Sequence, residues 1–281
     1  MLLMTSVLPN IVASKAFAGR EAVVRAMDLY FGCAAHKAGS SLVKRRFATL
    51  QGQIDDADLG RFECVNGIAI LANTVPTAFW TIFHIFSAPT ILAEVRKQVE
   101  MITISAMTPK GPVRSIDLRR LKDAPILFSA LQEALRLRAT GIGPRSVMAD
   151  MSIGEEQYLL KKDSVIIIAN KALHMDVETW GEAAGTFQAD RFNGKTPAQS
   201  FRGFGGGVNL CPGRGFAMAE VAGFVAMLAM RYDLEPAGGK WDEPGQDLNN
   251  MSLQIAPPRK KVMVSVVKRK YLEDVSWSFK V

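Results

Sequence analysis

The central feature of the hydrophobic pattern is residues 64–93, the longest stretch of the chain without an acidic residue, a lysine or an arginine. Its length suits a transmembrane helix. Its polar positions are more numerous than a lipid-facing helix usually carries: Asn66, Asn73, Thr74, Pro76, Thr77, Thr81, His84 and Ser87. The pattern therefore favours a long helix that crosses a protein core, and a membrane span over residues 64–86 is the alternative.

A proline lies near the middle of this predicted helix. Pro76 has no N–H to donate to the carbonyl of Ala72, so we expect the helix to open or kink there. The freed carbonyl would lie beside the polar side chains of Asn73, Thr74 and Thr77. The sequence predicts a polar notch in which water or a diatomic molecule could lodge, and a proline-kinked core helix without chemistry is the alternative.

Other segments also have helical character. Residues 2–18 and 19–50 indicate two helical pieces that precede the long helix. A further helix is predicted through residue 137, with Asp123 as its N-cap and Pro125 in its first turn. Residues 214–232 are apolar nearly all round, which predicts a buried helix.

Strand patterns are short and confined to the second half of the chain. Residues 156–160 and 164–169 are rich in β-branched or aromatic side chains around a polar Lys-Lys-Asp turn, which predicts a hairpin. Residues 261–267 alternate between polar and apolar positions and predict a closing strand. The expected fold class is mainly α with small β-sheets (α+β), as a single domain over residues 1–281.

Composition limits the possible classes of protein. The 281 residues are 48% hydrophobic, as expected for a globular chain, and carry a net charge of +7. Basic surface could meet acidic lipid headgroups or an acidic partner protein; with no nucleic-acid motif present, we expect no nucleic-acid partner. Three cysteines without a CxxC pair indicate a reducing compartment, and the three histidines have no zinc spacing. Residues 1–18 lack the basic start of a signal peptide.

A glycine-rich loop contains the clearest candidate chemistry, in the sequence FGGGVNLCPGRG that begins at Phe204. Gly205 and Gly207 allow the backbone to fold sharply and to lie against a flat object. Pro212 suits the first turn of the helix that follows, which would place Cys211 at the positive end of that helix. A thiolate held by backbone, with glycines clearing one side, is suited to be an axial ligand of haem iron. A buried structural cysteine is the alternative; a phosphate-binding loop would need Lys-Ser/Thr where this loop has Pro-Gly.

The spacing of Phe204, Gly207, Asn209, Cys211 and Gly213 resembles the haem-binding signature of the cytochrome P450 family, Phe-x-x-Gly-x-Arg-x-Cys-x-Gly. Asn209 stands where most members of that family carry Arg or His, which weakens the expected contact to a haem propionate. The resemblance implies that Cys211 is the iron ligand and that the other loop residues, with Gly205, contact the haem. It also implies a propionate contact for Arg145.

Two further motifs are similar to those of the same family. The segment Ala72-Asn-Thr-Val-Pro-Thr-Ala-Phe-Trp80 resembles its long distal helix, in the variant found in the branch of cholesterol 7α-hydroxylase and prostacyclin synthase. By this resemblance Ala72, Asn73 and Thr77 line the oxygen groove, where Val75 and Pro76 replace the usual acid and threonine and water would relay protons. Glu133-x-x-Arg136 resembles the family's Glu-x-x-Arg motif, which with Arg191 forms a structural triad behind the haem. Residues 251–255 would lie along the substrate pocket.

The resemblance extends from about residue 60 to residue 267 and implies a P450 fold that lacks about its N-terminal half. It implies a haem-thiolate monooxygenase that oxidises a hydrophobic small molecule (a sterol, a terpenoid or another secondary metabolite) with electrons from an NADPH-dependent reductase. A haem-thiolate isomerase or dehydratase, and a truncated non-catalytic remnant or interaction protein, are the alternatives. Eukaryotic members lie on the endoplasmic reticulum membrane; because no anchor is recognised here, location is left open and peripheral membrane contact is possible.

Overall fold

The computed structural model describes residues 8–155, 157–194, 197, 199–249, 253–270 and 274–281. These residues form helices with four small sheets, which confirms the mainly α, α+β fold class. The chain forms two compact units, Met1–Ala72 and Asn73–Val281. The single domain over residues 1–281 stays a prediction.

The first unit is helical throughout its described part. It contains α1 (Pro9–Val12), α2 (Ser14–Gly32), a 3-10 turn (Ala35–Ala38), α3 (Ser41–Leu50) and the beginning of α4 (Asp56–Phe86). The ring of His36 is buried and stacks on Phe47 with 3.7 Å between the ring centroids. Ala34, with φ at +57°, interrupts the helix that the sequence predicts over residues 19–50.

The second unit contains most of the chain and all the sheets. Its helices are the end of α4, α5 (Pro89–Met101), α6 (Pro125–Arg138), α7 (Asn170–Met175), α8 (Val177–Trp180) and α9 (Arg214–Arg231). The core lies where α9 packs against α5 and α6. Val225, Ala226 and Ala229 of α9 are fully buried, as its nearly uniform apolar sequence predicts.

In the described part of the chain, the strands form one three-stranded sheet and three two-stranded sheets. In the larger sheet, β2 (Gly111–Asp117) lies between an antiparallel β1 (Thr103–Thr108) and a parallel β9 (Ser276–Lys280). The antiparallel pairs are β3 (Ile142–Ser146) with β6 (Val165–Ala169), β4 (Met151–Ile153) with β5 (Tyr158–Leu160), and β7 (Tyr232–Pro236) with β8 (Val264–Lys268).

The hairpin predicted around residues 161–163 is wrong. The two strand-forming runs do not pair with each other: β5 turns back onto β4, and β6 pairs with β3, which places Arg145 opposite Ile166. Val147 N donates to Ser164 O at 2.9 Å and Asp163 N donates to Val147 O at 2.8 Å. Residues 161–163 therefore connect two separate hairpins.

The predicted N-cap of α6 is also wrong. Asp123 belongs to a 3-10 turn (Leu118–Asp123), and its carboxylate accepts from Arg120 Nε at 3.0 Å. The backbone N–H of Ile126 instead donates to the buried Gln98 Oε1, at 2.9 Å. A side chain from α5 therefore satisfies a free donor of the first turn of α6.

Helix α4 stays helical through Pro76. Among the described helices, α4 alone is long and apolar enough to cross a membrane, a test that core helices also pass. Its C-terminal part lies in the core of the second unit, where Trp80 and Ile85 are fully buried.

Candidate functional site

The cysteine loop is closed by its own backbone. Cys211 N donates to Phe204 O at 3.0 Å, and Leu210 N donates to Gly207 O at 3.1 Å. Gly205 and Gly207 have φ values of +76° and +64°, in the left-handed region that residues with a Cβ rarely adopt. The two glycines therefore let the loop turn back so that its last residue bonds to its first.

Cys211 is a free, half-buried thiol at the end of this loop. A Cβ on Gly213 would lie 3.9 Å from Cys211 Sγ, at ordinary contact distance, so residue 213 lies next to the sulfur. Helix α9 begins at Arg214 with Gly213 as its N-cap, which makes the prediction of Pro212 in its first turn wrong. Cys211 still lies just before the free N–H groups of that helix, whose dipole favours negative charge.

Apolar side chains of the loop are exposed beside the cysteine. Val208 is 100% exposed and Leu210 is 39% exposed, while Phe204 packs against the core. A flat hydrophobic group with a metal centre requires three things on one face: open space, apolar contacts and a donor to the metal. The loop offers glycines without Cβ atoms, exposed apolar side chains and one sulfur. The residues present therefore fit a haem held through Cys211.

The two predicted propionate contacts lie on separate elements. Asn209 is exposed and ends a 3-10 turn (Gly207–Asn209) in the cysteine loop. Arg145 is on β3, where its Nη1 donates to the carbonyl of the neighbouring Pro144 at 2.7 Å. The hydrogen bonds of the described residues do not join these two side chains, and their propionate roles stay predictions.

The predicted groove residues lie on successive turns of α4. Thr77 is buried, and its Oγ1 donates to Asn73 O at 2.7 Å. Asn73 Oδ1 accepts from the backbone N–H groups of Gln254 and Ile255, at 3.0 and 3.2 Å. The Asn73 side chain therefore fixes residues 254–255 against α4, a contact that sequence reasoning missed. Ala72 precedes Asn73 on α4 and belongs to the first unit.

This contact also locates the segment that the sequence places along a substrate pocket. Met251 and Ser252 lie outside the described residues. Gln254 O accepts from Thr140 N at 2.9 Å, and Trp80 Nε1 donates to Ala256 O at 2.8 Å. Residues 254–256 are therefore held from both sides, by α4 and by the chain that follows α6.

The structure brings Glu133, Arg136 and Arg191 together. Glu133 and Arg136 are fully buried and form a two-bond ion pair, with distances of 2.7 Å to Arg136 Nε and 2.8 Å to Arg136 Nη2. Arg191 Nε donates to Glu133 Oε1 at 2.9 Å, and its other nitrogens donate to the carbonyls of Trp180 and Ala183. A buried carboxylate is tolerated when it is paired and hydrogen-bonded in this way.

His174 connects this ionic cluster to the cysteine loop. Its carbonyl accepts from Arg136 Nη1, and its ring Nε2 accepts from the backbone N–H of Arg202 at 2.8 Å. Arg202 lies two residues before Phe204, whose carbonyl holds Cys211 N. Only the fold shows that the ring of His174 anchors the start of the loop.

Removal of one partner from the buried ion pair should be costly. We expect Arg136→Met to lower the free energy of unfolding by about 3–5 kcal/mol, because Glu133 would keep a buried charge with fewer donors. The double variant Glu133→Gln/Arg136→Met should lose less, since no buried carboxylate remains and the amide oxygen can still accept from Arg191. Urea unfolding measures both. Arg120→Met, which breaks an exposed pair, is the control and should change stability by less than about 1 kcal/mol. A single variant as stable as the double variant would contradict this account of the pair.

His174 should make stability depend on pH. Burial lowers the pKa of His174 to about 4, and repulsion from Arg136 and Lys171 acts in the same direction. Since the unfolded chain binds this proton at about pH 6.5 and the folded chain only near pH 4, acidification favours unfolding. From pH 7 to pH 5 this residue should cost about 2 kcal/mol of stability. His174→Gln keeps an acceptor for Arg202 N, and its loss of unfolding free energy between pH 7 and pH 5 should be smaller by about 2 kcal/mol. An equal loss in the variant and the unchanged protein would contradict the low pKa of His174.

Comparison with known proteins finds cytochrome P450s. The cytochrome P450 family profile matches residues 66–264. The chain is 33% identical to cytochrome P450 monooxygenase nodJ of Hypoxylon pulicicidum, over 100% of this chain and 57% of the relative. It is 31% identical to a cytochrome P450 monooxygenase of Gibberella zeae, over 85% of this chain and 49% of the relative.

The predicted branch is also represented among the relatives. Cytochrome P450 7A1 of Rattus norvegicus is 28% identical over 66% of this chain and 41% of its own length. The chain thus spans about half the length of the curated relatives it matches. The family match covers the helix with Pro76, the Glu-x-x-Arg pair and the cysteine loop, and the chain belongs to the cytochrome P450 family.

Proposed function

We propose that this chain forms the haem-thiolate part of a monooxygenase that oxidises a hydrophobic small molecule, with Cys211 as the iron ligand. The observation that carries the proposal is the cysteine loop: a free thiol beside exposed Val208 and Leu210, in a loop closed by left-handed glycines. A haem bound there supplies the oxidative chemistry, which thiolate donation directs towards O–O cleavage. Membership of the family supports the same reaction class.

The chain's own residues would hold the ligand and shape the other side of the site. The hydrogen bond from Cys211 N to Phe204 O holds the backbone of the proposed ligand, whose free thiol is half-buried. Asn73 would shape the substrate side, because it holds residues 254–255 in place. The Thr77 hydroxyl donates its hydrogen to Asn73 O, so that hydrogen is not directed to a bound oxygen molecule. This supports the proposal that water carries the protons in the groove.

Electrons would come from an NADPH-dependent reductase that docks on the side of the cysteine loop. Arg214 is exposed there, and its Nη1 donates to Cys211 O at 3.1 Å. Positive charge at this place would attract an acidic partner surface and speed association. The substrate is proposed to be a sterol, a terpenoid or a similar secondary metabolite.

A haem-thiolate isomerase or dehydratase is the second candidate, favoured by one observation. Val75 and Pro76 stand at the acid and threonine positions, so neither position offers a side chain that transfers protons. An isomerisation needs no external oxygen and no proton delivery to it. The two candidates therefore differ in whether oxygen from O₂ enters the product.

Isotope incorporation tests this proposal. The haem-loaded chain, with a reductase and NADPH, should transfer one ¹⁸O atom from ¹⁸O₂ to at least one probe among cholesterol, farnesol and lauric acid. Cys211→Ala should abolish the label, and Cys33→Ala, which changes an exposed cysteine of the first unit, should retain it. A rearranged, unlabelled product would favour the isomerase. Absence of any product would contradict the monooxygenase proposal.

A further inference from the structure

A cavity separate from the proposed haem site lies in the second unit. It shares no residue with the cysteine loop or with Asn73 and Thr77. Its volume is about 610 Å³. Its polar lining comes mainly from Arg138, Lys171, Glu243 and Gln246. Its apolar lining comes mainly from Phe83, Phe187 and Trp241. A cavity of this size whose lining is more polar than apolar suits a small charged molecule that also carries an apolar part.

Arg138 is the buried cation of this cavity, and only 7% of its surface is exposed. Its Nη1 pairs with Glu243 at 2.7 Å, its Nη2 donates to His84 Nε2 at 3.0 Å, and its guanidinium lies 3.8 Å from the centroid of the Trp80 ring. Its Nε is buried and has no hydrogen-bond partner among the described residues. Because this Nε–H has no accessible surface, Arg138 acts on a ligand in the cavity through its charge and not through this donor.

Lys171 adds a second cation to the same wall. Its Nζ donates to Leu137 O at 2.7 Å, which leaves donor capacity in the ammonium group. Within the described residues, the salt bridges of this cavity include one carboxylate, Glu243, and it pairs with Arg138. Burial, followed by repulsion from Arg138 and Arg136, lowers the pKa of Lys171. The cavity therefore contains two positive charges, on Arg138 and Lys171, and one negative charge, on Glu243.

The remaining walls are flat and uncharged. The His84 ring stacks on Phe187 with 4.0 Å between centroids, and Phe83 meets Trp241 edge to face at 5.7 Å. Burial, and then the charge of Arg138, lowers the pKa of His84 to about 3, so this ring is neutral at physiological pH. Aromatic faces of this kind favour the planar apolar part of a ligand.

We propose that this cavity binds an aromatic carboxylate, with the carboxylate against Lys171 Nζ, near the charge of Arg138, and the ring against Phe187 and Trp241. The carboxylate would accept from Lys171 Nζ and balance the excess positive charge. The site differs from the proposed haem site in residues and in ligand chemistry, and it does not depend on the monooxygenase proposal.

Calorimetric titration of the full chain with benzoate tests the site. Benzoate should bind, and its neutral isostere benzamide should bind at least about 10-fold more weakly, because it lacks the charge that the two cations recognise. Equal binding of the two compounds, or no binding of benzoate, would overturn the proposal.

Two variants with opposite effects localise the binding. Lys171→Met keeps most of the apolar stem and removes the charge, so the Kd of benzoate should rise about 10-fold or more. Glu243→Gln removes the competing carboxylate, so the Kd should fall about 3-fold or more. Lys97→Met changes an exposed lysine of α5 and should leave the Kd unchanged. Circular dichroism checks the folding of each variant; if Lys171→Met is unfolded, the Glu243→Gln result decides. A folded Lys171→Met with an unchanged Kd, or a Glu243→Gln variant that binds no more tightly, would overturn the proposed site.

Discussion

The buried carboxylate of Glu133 is the constraint on which the second unit most depends. A charge without solvent must be compensated locally, and Glu133 accepts from Arg136, from Arg191 and from the backbone N–H of Gln188. The donors lie on two different segments of the chain, α6 and residues 188–191. The Glu133 side chain therefore holds these two segments together. Arg136 and Arg191 also donate to carbonyls on α7 and α8, which extends the network beyond the ion pair itself.

This network continues to the cysteine loop through hydrogen bonds and the two-residue step of chain from Arg202 to Phe204. Arg136 holds the carbonyl of His174, the ring of His174 holds Arg202 N, and Phe204 O holds Cys211 N. The proposed iron ligand therefore takes its position from a series of donors and acceptors that begins in the core. The cavity proposed to bind an aromatic carboxylate lies at the end of the same helix, where Arg138 follows Arg136 by two residues.

The sequence predicts those parts of the fold and of the candidate site whose residues lie close together in the chain. It fails to predict contacts whose partner residue lies far along the chain. Two local patterns can be recognised in the sequence because each lies within a few residues: the glycines around Cys211 and the i,i+3 spacing of Glu133 and Arg136. The pairing of β6 with β3 was missed, because a strand pattern does not specify its partner. The cap of α6 was missed for a related reason, since Gln98 of α5 reaches Ile126 in place of the neighbouring Asp123. The anchoring of residues 254–255 by Asn73 also joins distant segments, and the notch that Pro76 predicts gives no indication of it.

The most direct test of Cys211 as the iron ligand is the absorption spectrum of the reduced, carbon-monoxide-bound chain, expressed with a supply of haem. We expect a thiolate-type Soret band that is lost in Cys211→Ala and retained in Cys33→Ala. A chain that binds no haem, or a band that does not change when Cys211 is replaced, would contradict the assignment of this loop as the iron-binding site.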